Sequence, residues 1–172
     1  KRSVHRDDGD QWSGELTQPL IAGLRDSSLE DYLDGHRVAG LIGPTGHILD
    51  GHKFMGSAAN YQWINRISER LGMDLHNEDF SFIAGSMFAG RISVFSAIVE
   101  DPWIANMFED EMGRRDGTLA HALERIFGLL CYRSGMGLAE IGTHGSKTII
   151  RHADSAATAY QFAETQSWRR AR

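Results

Sequence analysis

The chain has one cysteine, three prolines and no long uninterrupted run of apolar residues. With Cys131 alone it can form no intrachain disulfide, which suits a reducing compartment such as the cytoplasm. Its most apolar stretches, residues 80–88 and 119–130, are interrupted by polar residues and by glycine. Both are shorter than the roughly 20 residues that a membrane-spanning helix needs. We therefore expect no transmembrane helix.

An excess of basic residues is also absent. The 172 residues include 18 Lys and Arg against 23 Asp and Glu, so the formal net charge is −5. Nucleic-acid-binding proteins usually carry a basic stripe, and we expect no nucleic acid among the partners. The sequence opens on Lys1 in a charged segment, with neither an initiator Met nor a signal-peptide pattern. This opening suggests a single domain, residues 1–172, that is a fragment or the later half of a longer protein.

The pattern of apolar residues, caps and turn residues predicts helices alternating with a few strands. Pro19 predicts a kink or a break in the first helix, and residues 47–57, which lack a period, are predicted to be a loop. The expected fold class is α/β, a single helix-rich domain with a small mixed sheet. The predicted helices cover residues 10–24, 28–33, 60–71, 92–99, 118–134 and the last twenty residues, and the strands cover 38–42, 80–88, 137–141 and 147–151.

A short acidic loop precedes the helix that is predicted at residues 118–134. It contains Glu109, Glu111 and Asp116, and carboxylates at such a junction can act as a general base. The helix itself is expected to bury one apolar stripe and to expose His121 and Arg125, with Glu124, on the opposite face. The alternative is that these are ordinary solvated charges.

Four basic side chains open the chain, namely Lys1, Arg2, His5 and Arg6. Cations that precede the start of a helix can bind a phosphate or diphosphate, although a simple charged arm is the alternative. Asp8 and Asp10 follow with a spacing that can hold a divalent cation, but helix capping by Asp10 explains the pattern as well.

Two further patterns are weaker. Gly85 and Ser86 end an apolar segment, where small residues let a sugar or nucleotide approach the backbone or allow tight packing. The surrounding residues do not form a Gly-x-Ser-x-Gly motif, so a serine hydrolase is not supported. His47 and His52 resemble a metal pair, but without a third clustered ligand the sequence gives little support for zinc.

Five segments in this order resemble the rhamnan synthesis F family of bacterial polysaccharide glycosyltransferases, over roughly residues 1–135. Two departures from the family pattern are Ser13, where an arginine is usual, and Ala89, where an aromatic residue is usual. Family members are usually longer, so the chain resembles only their later portion. The matching segments are residues 1–12, residues 38–47, Gly56 and Ser57 with Asn60, residues 84–88, and residues 108–113 continuing through 116–125.

The resemblance implies a fold like the C-terminal part of a GT-A-like glycosyltransferase. It also implies transfer of a sugar, with rhamnose from a dTDP donor as the first candidate, to a lipid-linked glycan acceptor. Such an enzyme works in the cytoplasm, in peripheral association with the inner face of the plasma membrane. No cofactor is firmly implied, and a divalent cation stays open.

The resemblance assigns the candidate residues to roles in that reaction. The basic residues of the opening segment match binding of the donor diphosphate. Glu111 is the preferred base because glutamate reaches furthest into a cleft, with Glu109 and Asp116 as alternatives. Gly85, Ser86, His121 and Arg125 match substrate binding. Two other functions remain open, namely a non-catalytic domain that binds carbohydrate or a protein partner, and a metal hydrolase that uses His47, His52 and the acidic loop.

Overall fold

The computed structural model describes residues 9–75, 78–110 and 116–153. A 3-10 turn, Ile92–Phe95, leads into the fourth helix. The helices are α1 (Gly9–Arg25), α2 (Ser28–Gly35), α3 (Ala58–Arg70), α4 (Ser96–Val99), α5 (Pro102–Asn106) and α6 (Leu119–Arg133). The strands are β1 (Ala39–Pro44), β2 (Ile48–Asp50), β3 (Ser81–Ile83), β4 (Ala89–Gly90), β5 (Gly137–His144) and β6 (Lys147–His152).

A four-stranded mixed sheet forms the centre of the molecule, in the order β4-β1-β5-β6. β1 and β5 are parallel, whereas β4 and β6 pair antiparallel with their neighbours. Two further strands of three residues each, β2 and β3, form a separate antiparallel pair. Helices together with this small mixed sheet confirm the predicted fold class of a single helix-rich α/β domain.

The central sheet is covered on both faces, and successive residues of β1 show this. Leu41 joins the large core cluster that contains the apolar residues of α3 and α6, together with Leu138 of β5. Ile42 joins a second cluster, with Ala139 of β5 and Leu29 of α2. Because side chains alternate along a strand, each strand contributes to both cores. α6 therefore lies against one face of the sheet, and α1 and α2 lie against the other.

One glycine of α6 allows the helix to approach a strand closely. A Cβ atom at Gly128 would overlap the carbonyl oxygen of Ser81 and would lie 2.9 Å from Cα of Phe82. The helix therefore packs against the backbone of β3 at this point. This close contact brings the turn that follows β3 next to the first half of α6.

Several expectations for local structure need correction. Ile48–Asp50 is a strand, because it pairs with β3, and not part of a loop. The segment predicted as one strand at residues 80–88 is strand only at Ser81–Ile83 and then turns. Helix α5 was not predicted, and α1 continues through Pro19 without a break. The helix predicted for the last twenty residues lies outside the described residues. Within the part of the chain that the structure describes, no helix is long and apolar enough to cross a membrane.

Candidate functional site

Glu124 of α6 binds the turn that follows β3. Its Oε1 atom accepts hydrogen bonds from the backbone N–H of Gly85, at 2.9 Å, and from the hydroxyl of Ser86, at 2.8 Å. Both turn residues have positive φ, 93° at Gly85 and 55° at Ser86. Such a backbone is easy for glycine and unfavourable for serine. The carboxylate of Glu124 therefore stabilises a turn conformation that is unfavourable for Ser86.

Arg125 completes this arrangement from the next position of α6. Its guanidinium donates to Glu124 Oε2 at 2.9 Å, to the carbonyl oxygen of Phe54 at 3.1 Å and to that of His121 at 2.8 Å. It also lies over the ring of Phe82, 4.6 Å from the centroid. Burial lowers the pKa of Arg125, while the charge of Glu124 opposes that shift. The arginine is thus an internal cation with several acceptors.

These contacts correct the expectation that the polar face of α6 is exposed. The side chains of Glu124 and Arg125 are only 11% and 12% exposed. These two side chains are buried because of tertiary contacts. The turn after β3 and the segment after β2 cover a face of α6 that would be exposed to solvent in an isolated amphipathic helix. The alternative of ordinary solvated charges is wrong for this pair.

Asp116 lies at the start of α3, although in the sequence it comes shortly before α6. Its Oδ2 atom accepts a hydrogen bond from the backbone N–H of Ser57, the N-cap residue of α3. A Cβ atom at Gly56 would lie 3.0 Å from Asp116 Oδ1 and even closer to Oδ2, so glycine is what lets the carboxylate approach. Two segments that are 59 residues apart are joined here.

Glu109 links α3 to the first turn of α6. Its Oε1 atom accepts from the indole N–H of Trp63 at 2.9 Å, and its Oε2 atom accepts from the backbone N–H of Leu119 at 3.0 Å. A carboxylate near a helix N-terminus stabilises the free N–H groups there. Both oxygens are thus used by the protein itself. The catalytic role of Glu109 stays a prediction, and this geometry weighs against it.

His121 faces the same region from the first turn of α6. Its Nδ1 atom is hydrogen-bonded to Thr118 Oγ1 at 2.7 Å, with the direction of donation set by the tautomer of the ring. Thr118 is the N-cap residue, but its side chain bonds to the histidine and makes no capping bond. Within residues 9–75, 78–110 and 116–153, Nε2 of His121 has no hydrogen-bond partner.

The start of α1 lies beside this network. A Cβ atom at Gly85 would lie 3.3 Å from Leu16 Cδ1 and 3.7 Å from the ring of Trp12. The helix that follows the basic opening segment therefore begins next to the turn held by Glu124. Lys1, Arg2, His5, Arg6, Asp8 and Glu111 lie outside the described residues.

The structure thus brings together five of the predicted site residues. Gly85, Ser86 and Arg125 share contacts with Glu124, and His121 lies in the first turn of the same helix. Asp116, which is bonded to Ser57 at the start of α3, lies close enough for its charge to raise the pKa of Arg125 against the lowering caused by burial. Glu124, which holds these residues together, stands out in the sequence only as a polar residue of the α6 helix. Its position one residue before an arginine on a helix was a weak signal, because such pairs are common on surfaces.

The two histidines considered for a metal site are used separately. His47 Nδ1 lies 3.1 Å from the carbonyl oxygen of Thr45, and His52 Nε2 lies 3.1 Å from that of Glu78. Across the described ranges, no three or more His, Cys, Asp or Glu side chains are grouped as a metal site requires. The geometry offers no support for a metal hydrolase.

Two bacterial proteins of the same name are similar to this chain. The chain is 36% identical over 135 residues to "Uncharacterized protein WxcX" of Xanthomonas campestris pv. campestris, and 35% identical over 135 residues to the protein of that name in strain B100. Each alignment covers 78% of this chain but 19% of the relative, so the chain spans about a fifth of their length. No family model matches the chain, and no solved structure matches it.

Proposed function

We propose that this chain is the later portion of a cell-surface polysaccharide glycosyltransferase of the rhamnan synthesis F type. It takes part in transferring a sugar, with rhamnose as the first candidate, from a nucleotide-sugar donor to a lipid-linked glycan acceptor. Because that acceptor is membrane-bound, we place the reaction at the cytoplasmic face of the plasma membrane, with the protein in peripheral association.

One observation carries the proposal: described residues from four of the five segments of the family resemblance meet around the first half of α6. Asp116 contacts Gly56 and Ser57, and Glu124 contacts Gly85 and Ser86. The opening segment leads into α1, whose Trp12 lies next to Gly85. If these segments served only to pack the core, their contacts would be spread through the whole core. The polar residues and glycines of these segments instead lie in one region.

Sugar transfer from a nucleotide donor needs three groups. Positive charge must neutralise the leaving diphosphate, a base must accept the proton of the acceptor hydroxyl, and a shaped surface must hold the acceptor. We assign the first role to Lys1, Arg2, His5 and Arg6. Arg125 is less suited to it, because its donors already bind Phe54, His121 and Glu124 within the protein. Its role in the proposal is to position the turn after β3.

Glu111 remains our candidate for the base. The described alternatives are both engaged: Glu109 accepts from Trp63 and Leu119, and Asp116 accepts from Ser57. An acid that already holds two helices in place is a poor proton acceptor for a substrate. His121, whose Nε2 atom has no hydrogen-bond partner among the described residues, is assigned to contact with the substrate. The proposal needs no metal, although a divalent cation beside the diphosphate is compatible with it.

The test measures dTDP release from dTDP-rhamnose, with and without Mg²⁺, in the protein that carries this chain and in its variants. Replacing the base should lower transfer by about 10²- to 10⁴-fold. We therefore expect Glu111→Gln to reduce turnover by that factor and to leave dTDP binding intact. Glu30→Gln on the exposed surface of α2 is the matched control and should change neither.

Two results would contradict the proposal. Full activity of Glu111→Gln would refute the assignment of the base and leave the transfer itself standing. Absence of both dTDP binding and transfer would refute the proposal as a whole.

A second function, a non-catalytic domain that binds carbohydrate or a protein partner, is favoured by a specific observation. The three described acids that the site contains, Glu109, Asp116 and Glu124, all accept hydrogen bonds from backbone N–H groups of the chain itself. Glycan binding without dTDP binding or transfer would support this alternative.

A further inference from the structure

A second group of aromatic and basic side chains lies on α3 and α5, apart from the Glu124 network. The guanidinium carbon of Arg66 lies 5.5 Å from the ring centroid of Trp63 and 5.7 Å from that of Trp103. Cations within about 6 Å of an aromatic centroid are attracted to its face. Arg66 is exposed, while both tryptophans are partly buried and pack against the main core. The arginine is therefore held by two rings at the surface.

A hydrogen bond holds the ring of Trp63, and another holds the backbone of Trp103. The indole N–H of Trp63 donates to Glu109, and the backbone N–H of Trp103 donates to Asp101, the N-cap residue of α5. The neighbouring Arg70 lies 5.2 Å from the ring centroid of Trp103 and forms an ion pair with Asp101. This group is thus assembled before any ligand arrives.

Arg66 differs from Arg70 in one respect. The guanidinium of Arg70 is paired with a carboxylate, whereas no acid of residues 9–75, 78–110 and 116–153 lies within ion-pair distance of Arg66. Contact with aromatic faces leaves the N–H donors at the edge of a guanidinium free to bind an oxyanion bidentately. A weakly hydrated cation that is already held in place loses little entropy when it binds.

We propose that Arg66, between Trp63 and Trp103, binds the carboxylate or phosphate of an acidic saccharide. The oxyanion follows from the charge and geometry of Arg66 alone. The saccharide rests on the proposed function. Phe108, next to Glu109 in the chain, is an aromatic side chain that is 56% exposed, and an exposed ring can pack against the C–H face of a sugar.

This surface adjoins the candidate site. Glu109 accepts from Trp63 with one oxygen and from Leu119, the first residue of α6, with the other. A glycan that is anchored at Arg66 therefore lies beside Glu109 and the first turn of α6, which contains His121. In a transferase this arrangement would hold the acceptor while its terminal sugar reaches the site.

Tryptophan provides a direct readout, because the chain has four tryptophans and each gives one indole N–H signal by NMR. The signals are assigned with single Trp→Phe variants of this chain. The probes are trigalacturonic acid, neutral maltotriose and inorganic phosphate. We expect trigalacturonic acid to shift the signals of Trp63 and Trp103 in a saturable way, and maltotriose to shift neither.

Two variants test the arginine. Arg66→Gln should weaken binding of trigalacturonic acid by about tenfold or more, since it removes a charge-assisted bidentate contact. Arg66→Lys should recover only part of the affinity, because lysine keeps the charge but not the planar fork. Arg151→Gln on β6 makes the same change of charge at another exposed arginine and should leave binding unchanged.

The outcomes separate this inference from the proposed function. dTDP binding at the candidate site is followed at Trp12, which lies beside Gly85. If trigalacturonic acid shifts the signals of Trp63 and Trp103 while dTDP leaves the signal of Trp12 unchanged, the anion-binding site at Arg66 is supported and the proposed donor site is not. If phosphate binds as tightly as the saccharide, the saccharide assignment is overturned. If no probe shifts either signal, or if Arg151→Gln weakens binding as much as Arg66→Gln, the inference fails.

Discussion

The hydroxyl of Ser86 donates a 2.8 Å hydrogen bond to Oε1 of Glu124, across a sequence separation of 38 residues. Ser86 has a φ of 55°, a left-handed conformation that costs a non-glycine residue roughly 1–2 kcal/mol. The same carboxylate oxygen accepts from the backbone of the preceding residue, Gly85, at 2.9 Å. One acid of α6 therefore stabilises a turn that would otherwise relax.

The first prediction concerns this acid. Glu124→Gln should lower the free energy of unfolding by about 2–3 kcal/mol, because Arg125 would lose its carboxylate partner while still largely buried. The amide can still accept one hydrogen bond from the turn, so the protein should remain folded. Urea denaturation at 25 °C, followed by circular dichroism, measures the change.

A matched control for that variant is Glu15→Gln on the exposed surface of α1. Its side chain contacts Gln11 in an exposed pair, so the change should stay within about 0.5 kcal/mol. Equal effects of the two substitutions would show that the Glu124–Arg125 pair contributes nothing beyond a surface contact.

The second prediction concerns the close approach of α6 to β3. Gly128→Ala should destabilise the protein by about 2–4 kcal/mol, because the new Cβ atom would meet the backbone of Ser81 and Phe82, which cannot move aside as a flexible side chain can. Gly14→Ala in α1 is the control. No atom lies within 4 Å of a Cβ there, so alanine should stabilise the helix by about 0.5–1 kcal/mol. Thermal or urea unfolding measures the two changes in stability, which should have opposite signs. A Gly14→Ala variant that is less stable than the wild-type protein would contradict the argument.

The sequence predicts those helices and strands that are determined by local patterns of apolar, capping and turn residues, and it misses those that depend on tertiary contacts. α3 and α6 were predicted almost to their ends because each has a long apolar period and a glycine just after it, Gly72 and Gly135. The sequence does not predict β2, because Ile48–Asp50 is a strand only through its pairing with β3. α5 had a readable signal, because Asp101 caps it and Pro102 occupies its first turn, but five residues show no period.

The sequence predicts which residues belong to the candidate site better than it predicts how they are arranged. The sequence interpretation singled out Gly85, Ser86, His121 and Arg125, and the structure places them around the same half of α6. Burial of Arg125 was missed because a helical period assigns every polar residue to the side opposite the apolar stripe. Only the fold shows that the turn after β3 covers that side.

The third prediction concerns Cys131, which is buried in α6 with its thiol donating to the carbonyl oxygen of Gly137 at 3.2 Å. Burial raises the pKa of this thiol from 9.0 to about 11. Between these two values the unfolded chain has already lost the proton that the folded protein keeps, so stability must fall as the pH rises. The free energy of unfolding should therefore lose about 2 kcal/mol from this group between pH 8 and pH 10.5.

Other groups titrate in the same range, so the effect of the thiol is isolated by comparison with Cys131→Ala, which has none. At pH 8 the wild-type protein should be the more stable of the two, because alanine leaves a small cavity beside Gly40 and Met136. That advantage should shrink or reverse by pH 10.5, because only the wild-type chain gains from ionising when it unfolds. Urea unfolding of both proteins across this pH range measures the difference. A constant difference would mean that the folded protein ionises Cys131 as easily as the unfolded chain does, and that burial of the thiol has no electrostatic consequence.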